Sequence, residues 1–366
     1  MTVMAFYIFL KENIDVVVLE VGIGGENDCT NIIRNPIACG ITHLDIDHID
    51  YLGDTLEKIA WHKAGIFKRG ATAITVLQQD VALKVFCERA NNKMCSLYLA
   101  PQLQNYSTSK NCQILEERED CELENMSLAI QLARVWIQNH NKVASERKWV
   151  NPFEGEEIPE IDKDVADIED SITILEPLKL PARLQIFTEG NITYYMDGAH
   201  TNGSMECCCT WFKKKSQQWP RDQDSNIRKA LLFTVSGKRK AKAMMKILKK
   251  CHFDLAMFAS NRLHVDDQTD EAGQYNDLVM TWMSLFEKET GETKKTKFTS
   301  YDTVKGFSCI SNALEWCQLN MANIHNGNPF VTSALKGATH LQVLITGSLY
   351  LVSHVLKSLK QVNYDD

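Results

Sequence analysis

Two apolar runs of the sequence each end in side chains that could hold a metal ion. Glu20 follows the run at 16–19 in LEVGIGGENDCTN, and His48 follows Asp45 and Asp47 at the end of IACGITHLDIDH. Because parallel strands present their carboxyl ends at one edge of a sheet, Glu20 and His48 form a candidate pair. A carboxylate and an imidazole suit a divalent ion held beside substrate phosphates, as Mg²⁺ is. An equally weighted interpretation makes them a solvated strand-end residue and a turn histidine.

The glycines that follow Glu20 only partly match a dinucleotide-binding turn. That turn needs three glycines, and here Gly22 and Gly24 are followed by Asn27 where the third should stand. The pattern therefore leaves Glu20 itself unexplained.

Lys63 lies on the apolar side of a predicted helix. Asp54 as N-cap and Glu57 three residues later form a capping box that predicts a helix over 55–63. A lysine on such a face is usually a snorkelling residue that covers apolar surface with its methylenes. The functional interpretation is a lysine directed toward the floor of an active site.

The elements that must position these side chains alternate in type through the first half of the chain. The patterns predict a parallel sheet with crossover helices. An opening apolar helix is expected to be buried, since it is too short to span a bilayer. The expected helices are 2–12, 55–63, 80–92 and 122–138, and the expected strands are 15–20, 37–44 and 72–77.

A second α/β series follows an acidic stretch. Residues 151–175 are expected to form an acidic linker or insertion, so the domains are 1–150 and 176–366. In the second domain the patterns predict strands near ITYYMD, ALLFTVSG, FDLAMFAS and LQVLITGS, and helices near 203–215, 240–250, 274–288, 308–320 and 348–360.

Composition excludes several classes of protein. A net charge of −7 argues against a general nucleic-acid binder, and no apolar run is long enough for a membrane span. The 12 cysteines form no CxxC pair, which favours reduced thiols and a cytoplasmic protein. A mitochondrial form is the alternative if a preceding segment carries a transit peptide.

Six motifs together resemble one family. EVGIGGENDCTN, DHIDYLGDTLEKIAWHKAGIFK, LPARLQ, YYMDGAHTNGSM, LLFTVSG and LQVLITGSLYLV occur in the order found in folylpolyglutamate synthases, of the muramyl ligase superfamily. The resemblance implies a P-loop-type ATPase domain with a parallel sheet, truncated at its N-terminus, followed by a Rossmann-like α/β domain.

The activity that the resemblance implies is an ATP-dependent amide ligation. Glutamate is added to the γ-carboxyl of reduced folates through an acyl phosphate, with Mg²⁺ and ATP required and K⁺ as a further cofactor. The implied partners are reduced folates, L-glutamate and ATP, and the protein is expected to be a monomer. The alternatives are a bifunctional dihydrofolate and folylpolyglutamate synthase, or a non-catalytic folate-binding fragment.

In the first domain, the resemblance assigns roles to four residues. Glu20 and His48 resemble Mg²⁺ ligands, and Lys63 resembles a catalytic lysine that is carbamylated. Asn125, in ENMSLA, resembles an asparagine that contacts adenine, although a helix-capping role explains an asparagine there equally well.

In the second domain, the resemblance concerns Arg183, Asp197 and His200. Arg183 resembles an arginine that reaches ATP phosphates, a task suited to a forked guanidinium. Asp197 resembles a second ATP-binding residue, and His200 a catalytic residue that contacts the nucleotide.

The sequence also departs from the family. Ala182 replaces the family glycine and Leu180 the usual tryptophan, while Lys238 and Lys240 stand where acidic residues are common. No GxxxxGK[ST] phosphate loop occurs, and residue 1 falls where the family already has a long preceding segment. We therefore expect this chain alone to be inactive, with apolar surface exposed around Phe6, Phe9 and 16–18.

Overall fold

The chain folds into two compact units, Met1–Leu178 and Lys179–Asp366. The computed structural model describes residues 1–106, 118–142, 146–147, 157–163, 168–175, 178–220, 226–235, 241–263, 272–287, 302–325 and 331–359. Lys238 and Lys240 lie outside these described residues.

The first unit is built on a parallel sheet in the order β1-β2-β3. Since parallel neighbours need a crossover, α4 runs between β2 and β3. The elements are α1 (Thr2–Lys11), β1 (Ala38–Ile41), α2 (Ile49–Leu52), α3 (Leu56–Lys63), β2 (Thr72–Thr75), α4 (Asp80–Lys93), β3 (Ser96–Leu99), α5 (Asp120–Asn139) and α6 (Ile168–Leu175).

Helices cover both faces of this sheet. On one face Ala73 of β2 packs with Ala60 of α3 and Phe86 of α4. On the other face Ile74 packs with Leu128 and Val135 of α5. Alternate residues of β2 therefore enter two different cores, as expected of a strand buried on both sides.

The start of the first unit differs from the sequence-based expectation. No residue of α1 is buried, so the expected buried helix is wrong for the described residues. Residues 15–20 are not a strand, because no strand in the described part of the chain pairs with them. Val18 is 92% and Val16 48% exposed, as expected for 16–18, whereas Phe6 and Phe9 are half-buried.

Two further expectations need correction. The N-cap of α3 is Thr55, whose Oγ1 accepts the Lys58 N–H, while Asp54 instead forms an ion pair with the Lys58 ammonium at 2.9 Å. The acidic segment 151–175 is not wholly a solvated linker. Ile158 and Ile172 are buried, and Ile172 lies in α6. These apolar residues tie the described parts of the segment to the core of the first unit.

The second unit contains a six-stranded sheet in the order β4-β5-β9-β6-β7-β8. All neighbours are parallel except β4, an antiparallel edge strand that the sequence patterns did not predict. The elements are β4 (Gln185–Glu189), β5 (Ile192–Met196), α7 (Asn202–Gln217), β6 (Ile227–Phe233), α8 (Ala241–Leu248), β7 (Leu255–Ala259), α9 (Ala272–Glu287), β8 (Val304–Phe307), α10 (Ile310–His325), β9 (His340–Thr346) and α11 (Leu349–Ser358).

The direction of each crossover determines on which face of the six-stranded sheet a helix lies. From β5 to β8 the chain moves one way across the sheet, and it then returns to insert β9 between β5 and β6. Right-handed crossovers therefore place α7, α8 and α9 on one face, and α10 on the other with α11. The α/β class with parallel sheets is confirmed. Among helices of the described residues, none is long and apolar enough to span a membrane.

Gly347, between β9 and α11, provides a test of this packing. Its φ is +107°, and a Cβ there would overlap the Thr234 carbonyl oxygen. We expect Gly347→Ala to lower the free energy of unfolding by about 2 kcal/mol or more, because backbone strain and overpacking each cost about 1–3 kcal/mol. Urea unfolding of the full chain is the measurement.

Gly190→Ala is the matched control for this prediction. Gly190 also has a positive φ, +58°, but nothing lies within 4 Å of its Cβ position. It should show only the backbone strain, about 1–2 kcal/mol. Equal losses for the two variants would contradict the close approach at Gly347.

Candidate functional site

The side chain of Asp28 accepts backbone hydrogen bonds within the segment 22–31, which we call the glycine loop. Its Oδ2 accepts the Ile23 N–H at 3.0 Å, and its Oδ1 accepts the Thr30 N–H at 2.9 Å. Partial burial alone would raise the pKa of this carboxyl, but the hydrogen bonds hold the pKa below its ordinary value. Asp28 is therefore an ionised carboxylate fixed within the loop.

The glycine loop lies directly on the C-terminal end of α3. The Glu26 N–H donates to the His62 carbonyl at 2.7 Å, and the Asn31 amide donates to the carbonyls of Glu26 and Gly65. A Cβ on Gly25 would lie 2.6 Å from the His62 oxygen, and one on Gly65 would overlap the Glu26 Cα. The two backbones touch with no side chain between them.

Lys63, at the end of α3, is half-buried beside carboxylates. Burial lowers the pKa of its ammonium, while the negative charges of Asp47, Asp28 and Glu20 act in the opposite direction. The structure thus brings three carboxylates within electrostatic reach of Lys63, although Glu20 is exposed. The sequence had singled out Glu20 but assigned no role to Asp28 or Asp47.

His48 directly precedes α2 and has a left-handed conformation, with φ 52° and ψ 40°. Its Nε2 lies 3.4 Å from Asp47 Oδ2. In the part of the chain that the structure describes, no three His, Cys, Asp or Glu residues form a group that could hold a metal ion. The donor chemistry nevertheless fits Mg²⁺, which proteins often hold through one or two carboxylates plus substrate phosphates. The pairing of Glu20 with His48 stays a prediction.

Asn125 lies exposed on the second turn of α5. The N-terminus of α5 is capped instead by Glu119, which forms a reciprocal capping box with Glu122. The capping interpretation of Asn125 is therefore wrong, and its side chain is available at the surface of the helix.

In the second unit, the turn 180–184 holds Arg183 between two strained residues. Ala182 has φ 63° and Leu184 has φ 43°, both in the left-handed region that glycine favours. The Leu184 N–H donates to Asp197 Oδ2 at 3.0 Å, and the Gly198 N–H donates to the Ala182 carbonyl at 2.9 Å. The conformation of Ala182 explains why glycine suits this position.

Asp197 follows β5 and is 7% exposed. Burial raises the pKa of its carboxyl, against the Leu184 N–H bond, the charge of Arg183, the Ala199 N–H bond and the charge of His200. His200 Nδ1 lies 2.7 Å from the Gly198 carbonyl, which can only accept, so this nitrogen carries the proton. The structure therefore brings Arg183, Asp197 and His200 together at the carboxyl end of β5.

Many known proteins are similar in sequence to this chain. Residues 3–139 match the Mur ligase middle domain. The chain is 36% identical to the mitochondrial folylpolyglutamate synthase of Bos taurus over an alignment of 406 positions, which covers 98% of this chain and 69% of the relative. The chain belongs to the folylpolyglutamate synthase family. It is also 35% identical to the mitochondrial enzyme of Homo sapiens, with 98% of this chain and 68% of that enzyme covered.

Solved folylpolyglutamate synthase structures share the fold of this family member. The Mycobacterium tuberculosis folylpolyglutamate synthase complexed with ADP aligns with a TM-score of 0.66 and 19% identity, covering 98% of this chain and 71% of that one. The E. coli FolC in complex with DHPP and ADP aligns with a TM-score of 0.61 and 19% identity, covering 98% and 70%. Folylpolyglutamate synthases are ligases, so the predicted family and enzyme class are confirmed.

Proposed function

We propose that the site of this chain serves the ATP-dependent addition of L-glutamate to the γ-carboxyl of reduced folates. That residues 1–366 alone are inactive stays a prediction, which the experiment below tests. The observation that carries this proposal is the half-buried Lys63 beside the carboxylates of Asp47, Asp28 and Glu20. Carboxylates of this kind can hold Mg²⁺ beside the phosphates of ATP. Relatives that share about a third of the residues and bear the name folylpolyglutamate synthase support the same conclusion.

The chemistry begins from an unreactive carboxylate. The γ-carboxylate oxygen of the folate forms a bond to the γ-phosphorus of ATP, the bond to the bridging oxygen breaks, and ADP leaves. The glutamate amine then attacks the carbonyl carbon of the acyl phosphate, loses a proton and expels phosphate. Because phosphoryl transfer needs little covalent help from a protein, positioning and charge neutralisation supply most of the catalysis.

Glu20 and His48 would hold Mg²⁺ in this proposal. When bound, the ion neutralises phosphate charge. Lys63 would act as a carbamate: its neutral amine forms a bond to the carbon of CO₂ and releases a proton, giving an anionic ligand. The half-buried position of Lys63 favours the neutral amine that this step needs.

Residues of the second unit would bind the nucleotide. Arg183 is exposed, so its guanidinium is available to donate paired hydrogen bonds to ATP phosphates. Asp197 would fix the Arg183 turn through the Leu184 N–H, and His200 would contact the nucleotide beside it. On the first unit, the exposed Asn125 would contact adenine.

A second candidate function is folate binding without catalysis. It is favoured by one observation, the lack of a GxxxxGK[ST] motif in the 366 residues. That motif supplies backbone donors and a lysine for phosphates and a hydroxyl for Mg²⁺. A bifunctional synthase, which also uses dihydropteroate, is the enzymatic alternative. The names of the mitochondrial relatives, and cysteines that are free throughout the described residues, favour the cytoplasm or mitochondrion as the compartment.

The deciding experiment measures ADP release by the purified chain with tetrahydrofolate, L-glutamate and Mg²⁺, with and without K⁺. Folate-dependent and glutamate-dependent ADP release supports the ligase. Folate binding by fluorescence titration without ADP release supports the second candidate. An added arm with dihydropteroate in place of tetrahydrofolate tests the bifunctional alternative, and no binding of any folate contradicts all three.

Arg183→Ala should weaken ADP binding by more than tenfold. A lost charge-assisted hydrogen bond to phosphate costs about 1.5–3 kcal/mol. Isothermal titration of the full chain with ADP and Mg²⁺ is the measurement. Arg262→Ala, an arginine of the same unit outside the Arg183 turn, is the control, and equal affinities for wild type and Arg183→Ala would exclude a phosphate contact.

Lys63→Ala should abolish ADP release in any preparation in which the wild type shows it. Lys63→Glu, or short carboxylic acids added to Lys63→Ala, should restore part of the rate, because the proposal needs an anionic ligand at this position. Lys58→Ala is the control, since Lys58 pairs with Asp54 at the exposed side of α3. Full activity of Lys63→Ala would make the lysine purely structural.

A further inference from the structure

Two cations of α4 meet at one carboxylate of the glycine loop. The Arg89 guanidinium of α4 pairs with Glu26 Oε2, and the Lys93 ammonium lies 3.2 Å from the same oxygen. Burial acts against the charge of Glu26, but Lys93 and Arg89 hold the pKa of its carboxyl below the ordinary value. Burial lowers the pKa of the Lys68 ammonium, and the negative charge of Glu26 acts in the opposite direction. We call Glu26, Arg89 and Lys93 the Glu26 cluster.

The Glu26 cluster joins three separate elements. Lys93 Nζ donates to the Gly65 carbonyl at 2.8 Å, just beyond α3. The Arg89 guanidinium lies over the Trp61 ring of α3, 4.3 Å from its centroid. Since Glu26 belongs to the glycine loop, its side chain connects that loop to both α3 and α4.

The same residue also makes the backbone contact to the turn that carries Lys63. The Glu26 N–H donates to the His62 carbonyl, and its Cα lies where a Cβ on Gly65 would stand. The Glu26 carboxylate pairs with Arg89 and Lys93, so its effect on Lys63 passes through the loop. Asp28, two residues further along the loop, is one of the carboxylates that acts on Lys63.

We infer that Glu26, held by Arg89 and Lys93, is a positioning residue that keeps the glycine loop, and with it Asp28, in place beside Lys63. The inference rests on the proposed function in one respect, that the carboxylates around Lys63 serve a metal and nucleotide site. The side chains of the cluster contact one another, the Gly65 carbonyl and the Trp61 ring, so the cluster acts on the placement of those carboxylates through the loop.

The first test is hydrogen exchange of backbone amides, followed by mass spectrometry on the full chain. Glu26→Gln should speed exchange in peptides covering 22–31 by at least tenfold and leave peptides covering β2 and α5 unchanged. Glu88→Gln is the matched control, because Glu88 is an exposed carboxylate of α4 next to Arg89, and it should match the wild type. Unchanged exchange in the loop, or faster exchange throughout the first unit, overturns the inference.

The second test uses Mn²⁺ as the probe in the presence of ADP, with the free ion followed by electron paramagnetic resonance. Glu26→Gln should raise the Kd for Mn²⁺ at least fivefold, and Glu26→Asp, which keeps the charge, should restore part of the affinity. An unchanged Kd together with a loosened loop overturns the positioning role. If the wild type binds no Mn²⁺ with ADP, the proposed function fails, and the exchange comparison alone decides the inference.

Discussion

The first unit depends on one close contact, the glycine loop lying against the last turn of α3. A helix ends with carbonyl groups that have no partner inside the helix, and the His62 carbonyl receives its partner from the Glu26 N–H of the loop. Gly25 and Gly65 leave no side chain between the two backbones. The loop thus supplies a partner for the end of the helix and, by the same contact, holds Asp28 within electrostatic reach of Lys63.

In the second unit, a buried carboxylate holds two backbone turns together. Asp197 accepts the N–H groups of Leu184 and Ala199, so two turns are joined at one side chain. Ala182 is held in a left-handed conformation that costs about 1–2 kcal/mol for a residue with a Cβ. Hydrogen bonds at buried positions offset that strain, and the result is an arginine presented between two constrained residues.

The sequence predicted elements where periodicity and burial agree. The helices α3, α4 and α5 and the strands β1 and β2 lie within a few residues of the expected positions, because each is apolar on the face it buries. Residues 15–20 are as apolar as a buried strand, but a strand also needs a hydrogen-bonding neighbour, which a one-dimensional pattern does not reveal. The antiparallel β4 was missed because three of the five residues in QIFTE are exposed and the strand has no apolar run. Lys63 was found because it interrupts an apolar face, whereas Asp28 and Asp47 reach it only through folding.

The surroundings of Lys63 imply that its chemical state and metal binding are linked in the proposed ligase. As an ammonium, Lys63 is a cation whose positive charge partly offsets the negative charges of Asp47, Asp28 and Glu20. Conversion to a carbamate replaces a cation with an anion and leaves only negative charge in the same place. Concentrated negative charge at a half-buried site is unfavourable without a counter-ion. A divalent cation restores the positive charge that the modification removes, so the carbamate and Mg²⁺ stabilise each other. The ammonium form of Lys63 therefore opposes binding of Mg²⁺, and the carbamate form favours it.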